Sequence, residues 1–99
     1  MITFKQGDTK DPVHVRLLDD GEPIDLTNCS VTFHMSNGVT GDAEIRDQLN
    51  GEVWYVFDEG ETDDVGIHRA EFVVKYPDFR EQTFPQHDYL KIQILKEVT

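Results

Sequence analysis

Between Gly51 and Tyr76 apolar and polar residues alternate in two runs. In the first, Val53, Tyr55 and Phe57 share one face, and Glu52, Trp54, Val56 and Asp58 share the other. In the second, Ala70, Phe72, Val74 and Tyr76 alternate with Arg69, Glu71, Val73 and Lys75. A period of two, rich in β-branched and aromatic residues, marks half-buried strands. The acidic stretch Asp58–Asp64 separates the runs, so the simplest expectation is an antiparallel hairpin with one covered face.

The same pattern recurs along the rest of the chain. Ile2–Lys5 reads as a short first strand ending at Gln6–Thr9, and Pro12 opens the next, Val13–Leu18, where its missing N–H is tolerated. Asp19-Asp20-Gly21 is a tight turn with a glycine available for positive φ. Glu22–Leu26 returns with Ile24 and Leu26 alternating against acids, and Val31–Met35 puts Val31, Phe33 and Met35 inward. Ala43–Asp47 is a weaker run that fits an edge strand, followed by Asn50-Gly51, a dipeptide favoured in hairpin turns. Pro77-Asp78 turns the chain into Phe79–Phe84, Pro85 closes that segment, and Tyr89–Ile94 is the last strand. No segment carries apolar residues at helical spacing over three turns. Seven to nine short strands with turns every 8–12 residues predict an all-β sandwich or barrel. Val15, Leu17, Ile24, Leu26, Val31, Phe33, Val53, Tyr55, Phe57, Phe72, Val74, Ile92 and Ile94 are expected to meet in its core.

Length sets the next bound. Ninety-nine residues, 37% of them apolar, suffice for one core, because a chain of this size buries roughly two-thirds of its unfolded surface. A single domain over residues 1–99 is expected, with Glu97–Thr99 as a frayed end or the point where a longer chain was cut. No apolar run approaches the ~20 residues needed to cross a bilayer. Met1–Asp8 lacks the basic-then-apolar order of a secretory signal. Nine basic against twenty acidic residues give a formal charge of −11. That argues against nucleic acid and anionic membranes as partners, since neutralising phosphates needs Lys and Arg on one face. Cys29 is the sole cysteine, so no internal disulfide forms, and its place beside Val31 and Phe33 suits a buried structural thiol. A small chain without a disulfide framework fits synthesis in a reducing compartment.

Candidate chemistry is sparse. His14 and His34 could meet on an outer face if their strands paired, but no spacing of the kind that holds zinc supports them. Asp58–Asp64 offers oxygen ligands without the spaced pattern of a calcium loop. Ser30 and Ser36 are the only serines, and neither sits in a nucleophile turn. No metal, no cofactor and no enzymatic activity are expected. One feature points outward. If Val53, Tyr55 and Phe57 face the core, Trp54 and Val56 face away from it, and Ile67 and Val73 share the outer face of the neighbouring strand. Large apolar groups on an outer face mark a contact surface, and Trp is favoured at its centre. Trp54, Val56, Ile67 and Val73 are therefore the candidate interface.

With these segments in view, the chain resembles the N-terminal domain of the phage baseplate upper protein family. The resemblance runs through Gln6-Gly7-Asp8-Thr9, Leu18–Thr27, Val31-Thr32-Phe33 and Gly51–Phe57. It continues through Gly60-Glu61-Thr62, Gly66–Phe72, Phe84-Pro85 and Tyr89–Ile94. Each motif alone is a generic turn or strand, and the specificity lies in their order. Glu61 stands where Asp is expected and His68 where an aromatic residue is expected. The resemblance implies an immunoglobulin-like antiparallel β-sandwich in a structural protein of the virion, synthesised in the cytoplasm of the bacterial host. It implies other tail and baseplate proteins as partners and a homo-oligomer, a trimer or larger ring. A carbohydrate- or protein-binding sandwich on a bacterial cell surface is the alternative reading.

Overall fold

Strand-forming alternation becomes sheet throughout the computed structural model, which describes residues 1–98. Thr99, part of the expected frayed end, lies outside the described residues. Eleven strands follow in order: β1 (Ile2–Lys5), β2 (Val13–Arg16), β3 (Leu18–Asp19), β4 (Glu22–Pro23), β5 (Ser30–Met35), β6 (Thr40–Asp42), β7 (Glu44–Asp47), β8 (Glu52–Tyr55), β9 (Gly66–Lys75), β10 (Glu81–Phe84) and β11 (Leu90–Leu95). β3 and β4 are only two residues each, which leaves nine of ordinary length, as the pattern predicts. The one helical turn among the described residues is a 3₁₀ turn, Gln48–Asn50.

The strands form two curled sheets around a shared core. A six-stranded sheet runs β1-β11-β9-β5-β6, with β10 also paired to β9, and a three-stranded sheet runs β2-β8-β7. β3 and β4 make a small separate hairpin. Pairing is antiparallel except between β1 and β11, which run parallel with Ile2 opposite Ile92 and Phe4 opposite Ile94. That one parallel pair closes the edge of an otherwise antiparallel sandwich. β7 is indeed an edge strand, as its weaker pattern predicts.

The expected hairpin between the two alternating runs does not form. β8 lies in the three-stranded sheet and β9 in the six-stranded one. The short Gln48–Gly51 connection makes β7, not β9, the local partner of β8, with Ile45 opposite Val53. Residues 56–65 then carry the chain from one sheet to the other. This passage is anchored rather than loose. The Thr62 side chain is fully buried, its hydroxyl donates to the Asp8 carbonyl at 3.0 Å, and its own carbonyl accepts from Gly7 N–H.

Phe33 sits at the centre of the core. Its ring stacks on Tyr55 at 4.2 Å and meets Phe72 and Phe57 edge-on at 5.2 and 5.8 Å. Since Phe33 and Phe72 come from the large sheet and Tyr55 from the small one, this cluster is what joins the sheets. Fully burying one such side chain contributes roughly 1.5–3 kcal/mol. The expected inward residues, Met35 among them, all belong to this cluster, with Val15 only half-buried at its margin, and Phe4, Val13, Ala70 and Phe84 join them.

Two glycines serve the packing directly. Gly51 adopts φ of 67°, and a Cβ there would meet the Leu17 carbonyl oxygen at 2.7 Å. At Gly41 a Cβ would lie 2.9 Å from the Tyr55 hydroxyl, so its bareness lets the Tyr55 ring reach the edge of the core.

Candidate functional site

Trp54 lies on the middle strand of the three-stranded sheet, between buried Val53 and Tyr55, and points away from the core. Antiparallel register places His14 of β2 on one side of it and Glu44 of β7 on the other. The indole is half-buried by these neighbours: the Arg46 guanidinium lies 4.2 Å from its centre, and the His14 ring meets it at 5.5 Å. Around this stack Arg16 pairs with Glu52 at 2.8 Å and Arg46 with Glu44 at 3.3 Å. The outcome is an aromatic centre bordered by charges that already satisfy one another. An aromatic or Arg-rich centre with a polar border is the make-up of a protein contact surface. Val56, just beyond β8, is 46% exposed and adds apolar area beside it.

Ile67 and Val73 do not join this surface. Both project from β9 on the outward side of the six-stranded sheet, Ile67 being 59% exposed and Val73 half-buried. The four-residue patch expected from a β8–β9 hairpin is thus divided between the outward faces of two sheets. Even on their own strand Ile67 and Val73 are six residues apart, about 20 Å at ~3.3 Å per residue. Polar groups fill the face between them: Val73 lies opposite Thr32 and Thr83, and Arg69 reaches over the Tyr89 ring at 5.5 Å.

The most exposed aromatic side chain escaped the pattern reading. Phe79, 79% exposed, occupies the turn between β9 and β10 with φ of 68°, under the Lys75 ammonium at 5.5 Å. Its signal in the sequence is a large apolar residue inside Pro77–Arg80, where turn residues are ordinarily small or polar.

The acidic passage between the sheets is used internally. The Glu61 carboxylate accepts from the Tyr55 hydroxyl at 2.8 Å and from Asp58 N–H at 2.7 Å. Glu has the reach to take both donors, which gives the longer acid at this position a structural purpose. Burial, then the bond to Glu61, then the charges of Glu61 and Asp58 push the Tyr55 phenol well above its ordinary range. His68 is buried, and its Nε2 lies 2.7 Å from the Asp64 carbonyl oxygen, so the ring in place of the expected aromatic fixes the end of the same passage. Among the described residues no three His, Cys, Asp or Glu side chains gather closely enough to hold a metal ion. His14 and His34 stand in different sheets, and His34 is occupied by the Thr32 and Thr40 hydroxyls at 3.0 and 3.2 Å. The Ser36 hydroxyl oxygen accepts from Arg69 N–H at 3.0 Å. Burial, and then the Asp25 charge, push the Cys29 thiol up and away from the reactive thiolate.

Comparisons with known proteins bear on the family and the fold. The family model described as the BppU N-terminal domain matches residues 1–89. Among solved structures, the N-terminal domain of phage TP901-1 ORF48 superposes with a TM-score of 0.69 at 17% identity, covering 99% of this chain and 85% of that one. At that identity the likeness speaks for the fold. The search of curated proteins returns no match.

Proposed function

The chain belongs to the BppU N-terminal domain family, and on that premise we propose that it is a structural part of a phage tail baseplate, held there by protein–protein contacts. The observation that carries this reading is the family match over residues 1–89. The surface chemistry supports it. Trp54, under Arg46 and beside His14, supplies the aromatic centre that docking needs, with Val56 as its apolar flank. Ile67 and Val73, on the outward face of the other sheet, offer separate apolar contact points there. Residues 1–99 act as one domain in this reading, and the work done is docking rather than catalysis. Its partners are other tail and baseplate proteins together with copies of itself, in a trimer or larger ring. The place of action is the virion, after synthesis in the host cytoplasm.

Particle composition tests the proposal. Purified phage particles from the source strain, disrupted and analysed by mass spectrometry, should contain the chain in the tail fraction at a fixed ratio to other tail proteins. Finding it only in the cell lysate, with none in particles, would overturn the reading.

A further inference from the structure

A cleft of about 390 Å³ opens along the side of the molecule. Val15, Leu17 and Leu18 form one wall and Phe84, Pro85 and Leu90 the other. The first wall belongs to the end of β2 and the residues after it, and the second to the crossing from β10 to β11. The volume lies in the lower range of ligand-binding clefts, and its two walls are apolar, with Arg16, Asp20, Gln86, His87 and Asp88 as its polar lining. Leu18, at the mouth, is 42% exposed.

Two further observations define what fits there. First, β2 is the last strand of its sheet and pairs only with β8 among the described residues. Val15 and Arg16 therefore belong both to the cleft wall and to a strand whose far edge carries no backbone pairing. An unpaired edge is a template for another strand, and adding one gives affinity through main-chain bonds and specificity through pockets for alternate side chains. Second, the mouth is negative. Asp20 and Asp88 border it, and Asp19 lies beside them, accepting from Gln86 at 3.3 Å. The one arginine at the border, Arg16, is already paired to Glu52 at 2.8 Å.

We propose that this cleft receives an extended segment of a partner protein, laid along β2 as an added strand. Alternate apolar side chains of the segment fill the space between Leu18 and Phe84, and intervening Lys or Arg residues face Asp20 and Asp88. A second copy of this chain is a poor occupant, because its formal charge of −11 repels the same mouth. The inference rests on the assembly reading for the partner being a protein, and it concerns a surface separate from Trp54.

The test uses the whole chain and synthetic peptides. An octapeptide alternating Lys with Val and Leu is titrated against isotope-labelled protein and followed by amide chemical shifts. Two controls share its pattern, one with Glu for Lys and one with alternate backbone nitrogens methylated. The Lys peptide should saturate below about 1 mM and shift the amides of Val13–Leu18 and of Phe84–Leu90. Both controls should bind at least ten-fold more weakly. Leu18→Arg should weaken the Lys peptide at least ten-fold with an unchanged melting temperature, since Leu18 is largely outside the core. Shifts confined to the Trp54 face or the Asp58–Asp64 passage would overturn the proposal, as would equal binding by Leu18→Arg or by the methylated peptide. Self-association of the chain with shifts at Val13–Leu18 would overturn it in favour of a second copy. None of these results alters the outcome of Trp54→Ala in assembly, so a failure here is distinguishable from a failure of the baseplate reading.

Discussion

At the residue scale, Phe33 and Tyr55 meet at the centre of the packing between the two sheets. Their rings stack at 4.2 Å, one from each sheet. Phe33→Ala should cost about 3–5 kcal/mol in chemical denaturation, because a buried Phe leaves both lost transfer energy and a cavity. A loss below about 1 kcal/mol would mean that the sheets are joined elsewhere. Tyr55 adds a dependence on pH. Its folded-state pKa is raised, so its contribution is fully present below the unfolded value of about 10. Above that pH the unfolded chain ionises first, and stability falls. Tyr55→Phe should remove this part of the alkaline slope and cost about 1 kcal/mol at neutral pH for the bond to Glu61. Denaturant midpoints from pH 7 to 11 would measure both, and an identical alkaline slope in the variant would contradict the assignment.

At the element scale, alternation revealed nearly every strand and which face each one buries. Phe33, Phe57, Phe72, Val74, Ile92 and Ile94 are all buried where the pattern puts them. What alternation lacks is the identity of a strand's partner, since period two looks alike beside any neighbour. β8 and β9 are consecutive, and the acidic passage between them reads as a hairpin loop. Strand pairing puts β8 and β9 in different sheets, and the passage that crosses between them is anchored through Thr62 and Glu61. The expected patch of Trp54, Val56, Ile67 and Val73 inherited that pairing and divides with it. The cleft beside β2 was not legible either, because Val15 and Phe84 are 69 positions apart and meet only through the tertiary fold. The β7–β8 connection, by contrast, was signalled by Asn50-Gly51. Gly51→Ala should destabilise the fold by about 1–2 kcal/mol from its left-handed backbone alone, and by more because the Cβ would press on the Leu17 carbonyl. Thermal melts would check this, and a change within experimental error would show that the connection relaxes.

At the scale of the whole molecule, a thin acidic sandwich of 47 × 24 × 20 Å works in this account through what its outer faces touch. Trp54→Ala measured for stability and for assembly in parallel tests that claim most directly. Its ring is half-buried, and the Arg46 contact is of the exposed kind worth roughly 0.5–1 kcal/mol, so the melting curve should stay within about 1 kcal/mol of the parent. Sedimentation of the variant alone and with tail proteins should show assembly weakened by about 2 kcal/mol or more, the size of a contact hot spot. An unfolded variant whose folded fraction still assembles as the parent does would contradict the account and return Trp54 to the core.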